Sequence, residues 1–204
     1  MKKRLIYLGL GLIFLVCTIL IVTNVRLGVV TSGPSTTALP FQIQSARQSY
    51  AQVEKWSTQW APDAGLVAGS TSVTRQADQQ GKAGGWTFQI YSPTTQRLAL
   101  VLVDHEQVRV LRVIDTLYPQ TAFQTNDWKI DSETFMESWW AETGKTIWNV
   151  PQAQTLYLHL GIHQRGIPSW QITVMSENGT VLNTWEARAD TGEPLPNLTS
   201  GGGQ

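Results

Sequence analysis

The chain nearly lacks cysteine: Cys17 is the only one in 204 residues. It lies inside an apolar run with Val16 before it, where a bacterial lipoprotein would place a small residue, so Cys17 reads as an apolar helix residue. The folded region therefore has no internal disulfide and no thiol nucleophile. A basic surplus is missing as well. Lysine plus arginine and aspartate plus glutamate number 15 each, and Lys2, Lys3, Arg4 and Arg26 flank the apolar run; the rest holds 11 basic against 15 acidic residues, a formal charge of −4. That excludes the basic footprint of a nucleic-acid binder and a polybasic patch for a membrane surface. Reaction motifs are also wanting: Ser132 has no Gly-x-Ser-x-Gly elbow around it, and the loop holding Gly81, Gly84 and Gly85 runs into a strand without the Lys-Ser/Thr ending of a P-loop.

The most pronounced feature present is the apolar run Leu5 to Val25. Its roughly 21 residues, at about 1.5 Å each, are long enough to cross a hydrocarbon core of about 30 Å. The expected organisation is a cytoplasmic stub at 1–4, a single-pass signal-anchor helix at 5–25 and a flexible stalk at 26–40 rich in Thr, Ser, Gly and Pro. The competing secretory signal would have an apolar region of only about 7–15 residues, with Thr36-Thr37-Ala38 as its cleavage site. Lys2, Lys3 and Arg4 leave the N-terminus in the cytoplasm and send the C-terminal region across the cell membrane, so the folded part is extracytoplasmic.

Beyond the stalk, nine tryptophans point to a core of aromatic anchors. Ile43, Ala46, Tyr50, Val53, Trp56 and Trp60 fall at steps of three and four, the stripe of a helix lying on a sheet, and Pro62 ends it. Strand patterns follow at Leu66–Val73, at Trp86–Tyr91 with Trp86, Phe88 and Ile90 on one face, and at Leu98–Val103, whose unbroken apolar run predicts a central strand covered on both faces. Val108–Ile114, interrupted by Arg109 and Arg112, reads as an edge strand. Asp104, His105 and Glu106 sit in the turn between these last two, where adjacent side chains diverge too much to share an ion or a proton. This first unit spans 41–115, and a connector follows at 116–127.

A second unit, 128–193, repeats the plan. Asp131 or Ser132 caps a helix from Ser132 to about Thr143, with Phe135, Met136, Trp139 and Trp140 as its apolar stripe and Gly144 as a left-handed stop. The strand Thr155–Ile162 turns Leu156, Leu158, Leu160 and Ile162 inward and Tyr157, His159 and His163 outward. Two histidines four residues apart on a strand are separated by roughly 13 Å and cannot share a zinc ion. Trp170, Ile172 and Val174 repeat the inward positions of Trp86, Phe88 and Ile90. Asn178-Gly179 predicts a two-residue hairpin turn into Val181–Ala189, Asp190-Thr191-Gly192-Glu193 closes the unit as a turn, and 194–204 reads as a disordered tail.

The helix, Trp170 to Val174, and Ala189-Asp190-Thr191-Gly192-Glu193 together resemble the PepSY-like domains of bacterial envelope proteins and secreted-peptidase propeptides. The first unit resembles them more loosely, since its last turn is Asp104-His105-Glu106-Gln107 without the Thr-Gly. The resemblance implies an extracytoplasmic, non-catalytic module that restrains or assists a peptidase or another envelope protein; it carries over no catalytic, cofactor-binding or metal-binding residue. The expected fold is α+β, two helix-plus-antiparallel-meander units after a transmembrane helix. The expected function is a membrane-anchored binding or regulatory module whose partners are the membrane, through the N-terminal helix, and an envelope protein or peptide. A structural or assembly part of an envelope complex is the alternative, and a hydrolase built on Asp131, Ser132 and a distant histidine the remote one.

Overall fold

Helix α1, Ala46–Trp60, starts where Ser45 accepts the amide of Gln48 and the Gln48 side chain accepts the amide of Ser45 in return, both at 3.2 Å. Its buried face is Ala46, Ser49, Tyr50, Val53 and Ser57. Of the stripe that the spacing predicts, Ala46, Tyr50 and Val53 are on it, Trp56 and Trp60 are only half-buried at its margin, and Ile43 lies outside the described residues. Four antiparallel strands follow as a meander: β1 (Gly65–Thr74), β2 (Gly85–Ser92), β3 (Arg97–Asp104) and β4 (Gln107–Asp115). A second helical arm consists of α2 (Ser132–Trp139), a π turn (Trp140–Gly144) and α3 (Lys145–Trp148), and leads to β5 (Ala153–Ile162), β6 (Pro168–Ser176) and β7 (Val181–Arg188). The computed structural model describes residues 45–74, 85–104, 107–164 and 166–196, all within one compact unit. The apolar run at 5–25, the stalk at 26–40 and residues 197–204 of the tail expected at 194–204 lie outside the described residues. The start of that tail is paired, Pro194 bridging Ala187 and the Leu195 amide donating to the Glu186 carbonyl. No helix among the described residues is long and apolar enough to cross a membrane.

The fold is α+β, with one seven-stranded antiparallel sheet in the order β4-β3-β2-β1-β5-β6-β7. Its seam is the β1–β5 pair, which runs from Gly69 opposite Leu160 to Thr74 opposite Thr155. Strand β1, the weakest strand pattern of the first unit, is thus the most central. Strand β3 differs from expectation in the other sense. It is second from the edge, and only Ala99, Val101 and Val103 are buried, whereas Leu98, Leu100 and Leu102 stay half-exposed on the face without helices.

Both helices lie on one face, held by aromatic contacts. Tyr50 of α1 meets Phe88 of β2 with ring centroids 5.5 Å apart, and Phe135 of α2 packs on Trp170 and Trp185 at 5.5 and 5.0 Å. Trp86 and Trp170 are fully buried and meet edge to face across the seam, 6.1 Å apart. An indole burying roughly 200 Å² at about 25 cal/mol per Å² contributes on the order of 5 kcal/mol, an upper bound because the unfolded chain hides part of that area. The seam makes room for these rings with small side chains: a Cβ on Gly69 would lie 2.9 Å from the ring of Phe88.

Two local expectations are corrected. Gly144 does not stop its helix in the left-handed region. Its φ is −58° and the chain winds on through a π turn to Trp148; glycine is required because a Cβ there would sit 2.7 Å from the Trp139 ring. The β6–β7 hairpin has three loop residues, Glu177, Asn178 and Gly179, and only Gly179 takes a positive φ, 84°. Asn178 instead accepts from the Ser176 hydroxyl and from the amide and hydroxyl of Thr180, so the turn is stapled by its side chain.

Candidate functional site

Asp131 and Ser132, the nearest thing in the sequence to a nucleophile beside a carboxylate, sit where two helix N-termini converge. Asp131 Oδ1 accepts the Ser132 amide at 2.7 Å and the Arg47 amide at 3.2 Å, while Ser132 Oγ accepts the Ala46 amide at 3.1 Å. The first amides of a helix have no partner within it, so one acidic residue and one hydroxyl serve both helices, at the ends where the peptide dipoles favour negative charge. Arg47 reinforces the junction by lying over the Trp128 ring, 5.5 Å from its centroid, and donating to the Trp128 carbonyl. The indoles of Trp128 and Trp170 both donate to the carbonyl of Ile130, at 2.6 and 2.8 Å. Ser132 is fully buried, and its environment is that of a cap.

The histidines are not a pair. His159 is exposed on the open face of the sheet, opposite Ser70 of β1 and Gln171 of β6. His163, expected to face solvent, is buried: its amide closes on Ile167 at the base of the β5–β6 hairpin and its Nε2 lies 3.8 Å from Glu186 Oε2. Ser169 Oγ donates to the other oxygen of Glu186 at 2.6 Å. A buried serine, a carboxylate and an imidazole therefore do meet, a cluster that nothing in the spacing of Ser169, Glu186 and His163 signals. The order is wrong for nucleophilic catalysis, since the serine proton is committed to the carboxylate and not to the imidazole. Among the described residues no three of His, Cys, Asp and Glu gather to hold a metal. Asp104 holds Arg109 at 3.1 Å, and its neighbours His105 and Glu106 lie outside the described residues. Asp190 grips Arg188 through both oxygens at 2.9 and 2.7 Å, which holds its carboxyl below the usual carboxylate range.

An open depression of about 450 Å³ beside the β6–β7 hairpin is lined by Pro151, Gln152, Ser176, Glu177 and Leu182 among others, with Glu177 its one acidic residue. The feature that stands out is an edge. At the β7 side the chain doubles back, bridging Ala187 to Pro194 and bonding the Leu195 amide to Glu186, so that edge is partly closed. At the β4 side no described strand follows. There Val110, Leu111 and Ile114 are 43, 46 and 39% exposed, and Leu117 and Tyr118 project beyond the strand. An edge strand with large apolar side chains outward is the surface type that accepts another extended chain. Arg109 and Arg112 identified β4 as an edge in sequence; its openness depends on what the connector does, and the connector leaves β4 to bridge Phe123 to Leu66 of β1.

Comparison with protein-family models, with curated proteins and with solved structures found no match.

Proposed function

We propose that the chain is a non-catalytic binding or regulatory module of the bacterial cell envelope, anchored by its N-terminal helix, that takes an extended segment of another envelope protein at the β4 edge. The open edge with its exposed Val110, Leu111 and Ile114 carries this reading. We read the sheet as two PepSY-like units joined at the β1–β5 seam, each a helix followed by a meander running outward to an edge. The mirrored strand order and the burial of Trp86 and Trp170 on either side of the seam support that reading. The unit resembling PepSY more closely has its outer strand partly closed by the chain's own return, which leaves the first unit's edge for a partner.

Site-specific photo-crosslinking in intact membranes tests the proposal. A photoreactive residue at Val110 is expected to give a discrete adduct with another envelope protein, and the same residue at Val181, exposed on β7, none. Adducts from neither position, or equally from both, would refute a binding role for β4.

A further inference from the structure

We propose that the β4 edge selects an extended peptide strand that is acidic along one face and apolar along the other. The inference rests on β4 being the binding edge and adds the chemistry of its partner. Pairing fixes the two faces of β4. Val108, Val110 and Val113 lie opposite Val103, Val101 and Ala99, on the face that α1 covers, while Arg109, Arg112 and Ile114 lie opposite Leu102, Leu100 and Leu98, on the open face. A strand added outside β4 alternates in the same way, so it meets valines with one row of side chains and arginines with the other. Arg109 shares Asp104 at 3.1 Å, and Arg112 has no ion pair among the described residues. This edge carries two arginines in a region whose net charge is otherwise acidic.

The same register argues against a second copy of this chain. Leu111 is an extra residue, because Leu100 pairs with Arg112 and Val101 with Val110. In an antiparallel β4–β4 pair the alignment that keeps both faces in step across this bulge sets Val110 opposite Val113. It also places Arg109 of each strand diagonal to Arg112 of the other, about 7–8 Å away, crowding four guanidinium groups on one face. Carboxylates at those positions remove the repulsion. A lipid headgroup supplies the charge but not the row of amides and carbonyls that an open strand edge requires.

The test uses the full chain and two labelled nine-residue peptides, alternating valine with glutamate or valine with lysine, read by fluorescence anisotropy. The glutamate peptide is expected to bind at least tenfold more tightly than the lysine peptide. Arg112→Glu should reverse that order and Arg112→Gln abolish it, each with unchanged tryptophan emission as the check on folding. Equal binding of the two peptides, or a preference unmoved by Arg112→Glu, would overturn the proposal. So would binding to anionic phosphatidylglycerol vesicles with no binding of either peptide, or self-association that displaces both. Crosslinks from Val110 together with equal peptide binding would retain the edge as a binding site and remove its acidic preference; loss of the crosslinks removes both.

Discussion

Removing the carboxylate of Asp131 should destabilise both helices at once. In Asp131→Ala the Ser132 amide loses its cap, which costs about 1 kcal/mol. The Arg47 amide loses an acceptor at 3.2 Å on an exposed path, worth another ~0.5–1 kcal/mol. Loss of a negative charge from the positive ends of two helices adds about 0.5 kcal/mol. The expected total is about 2–2.5 kcal/mol. Asp131→Asn keeps an oxygen acceptor and loses only the charge, so it should cost about 0.5–1 kcal/mol. Ser132→Ala strands the buried amide of Ala46 and should cost about 1–3 kcal/mol. Urea titration of the full chain, followed by tryptophan fluorescence, reads these as midpoint shifts at constant slope. If Asp131→Ala and Ser132→Ala both fall within about 0.5 kcal/mol of the parent chain, the shared cap is wrong and the pair reopens as a chemical site.

Gly144→Ala should destabilise by about 1–2 kcal/mol despite alanine's better helix propensity, because the new Cβ meets the fully buried Trp139 ring at 2.7 Å; a raised melting temperature would show that the ring can yield. Acid should weaken the domain in part through Asp63 and Asp190. Thr94 and Ser92 hold the Asp63 carboxyl below its ordinary value and Arg188 does the same for Asp190. Their contribution is therefore complete above about pH 4 and lost as pH falls through the lowered folded values, so Asp63→Asn should flatten the acid limb of a melting-temperature profile. At the alkaline end Tyr50 is pushed up to about 12, by burial first and by Glu54 second. Its contribution is full below about pH 10 and lost towards pH 12, and Tyr50→Phe should remove that part of the alkaline slope.

Local chemistry was legible in the sequence wherever one residue and its near neighbours decide the outcome. The inward Ala46, Tyr50 and Val53 of α1, the Asp131 cap, the alternation of Trp86-Phe88-Ile90 and Trp170-Ile172-Val174, and β4 as an edge all follow from period, capping and charge. The hairpin at Asn178 was legible in place but not in type, because Ser176 and Thr180 close it from outside the Asn-Gly pair. Gly144 was misread for a related reason. A glycine demanded by a neighbouring ring looks the same in sequence as one demanded by a left-handed backbone.

By itself the sequence determined an α+β domain with Trp86 and Trp170 turned into its core. Only the tertiary structure decided that β1 and β5 pair into one sheet, that Ser169, Glu186 and His163 meet, that Asp131 serves two helices, and that among the described residues no strand covers β4. The physical reason is range. Period and capping act over a few residues, whereas a seam between β1 and β5 depends on which of several strands find each other after the chain has turned back on itself, and a strand as rich in glycine, serine and threonine as Gly65–Thr74 does not announce its partner.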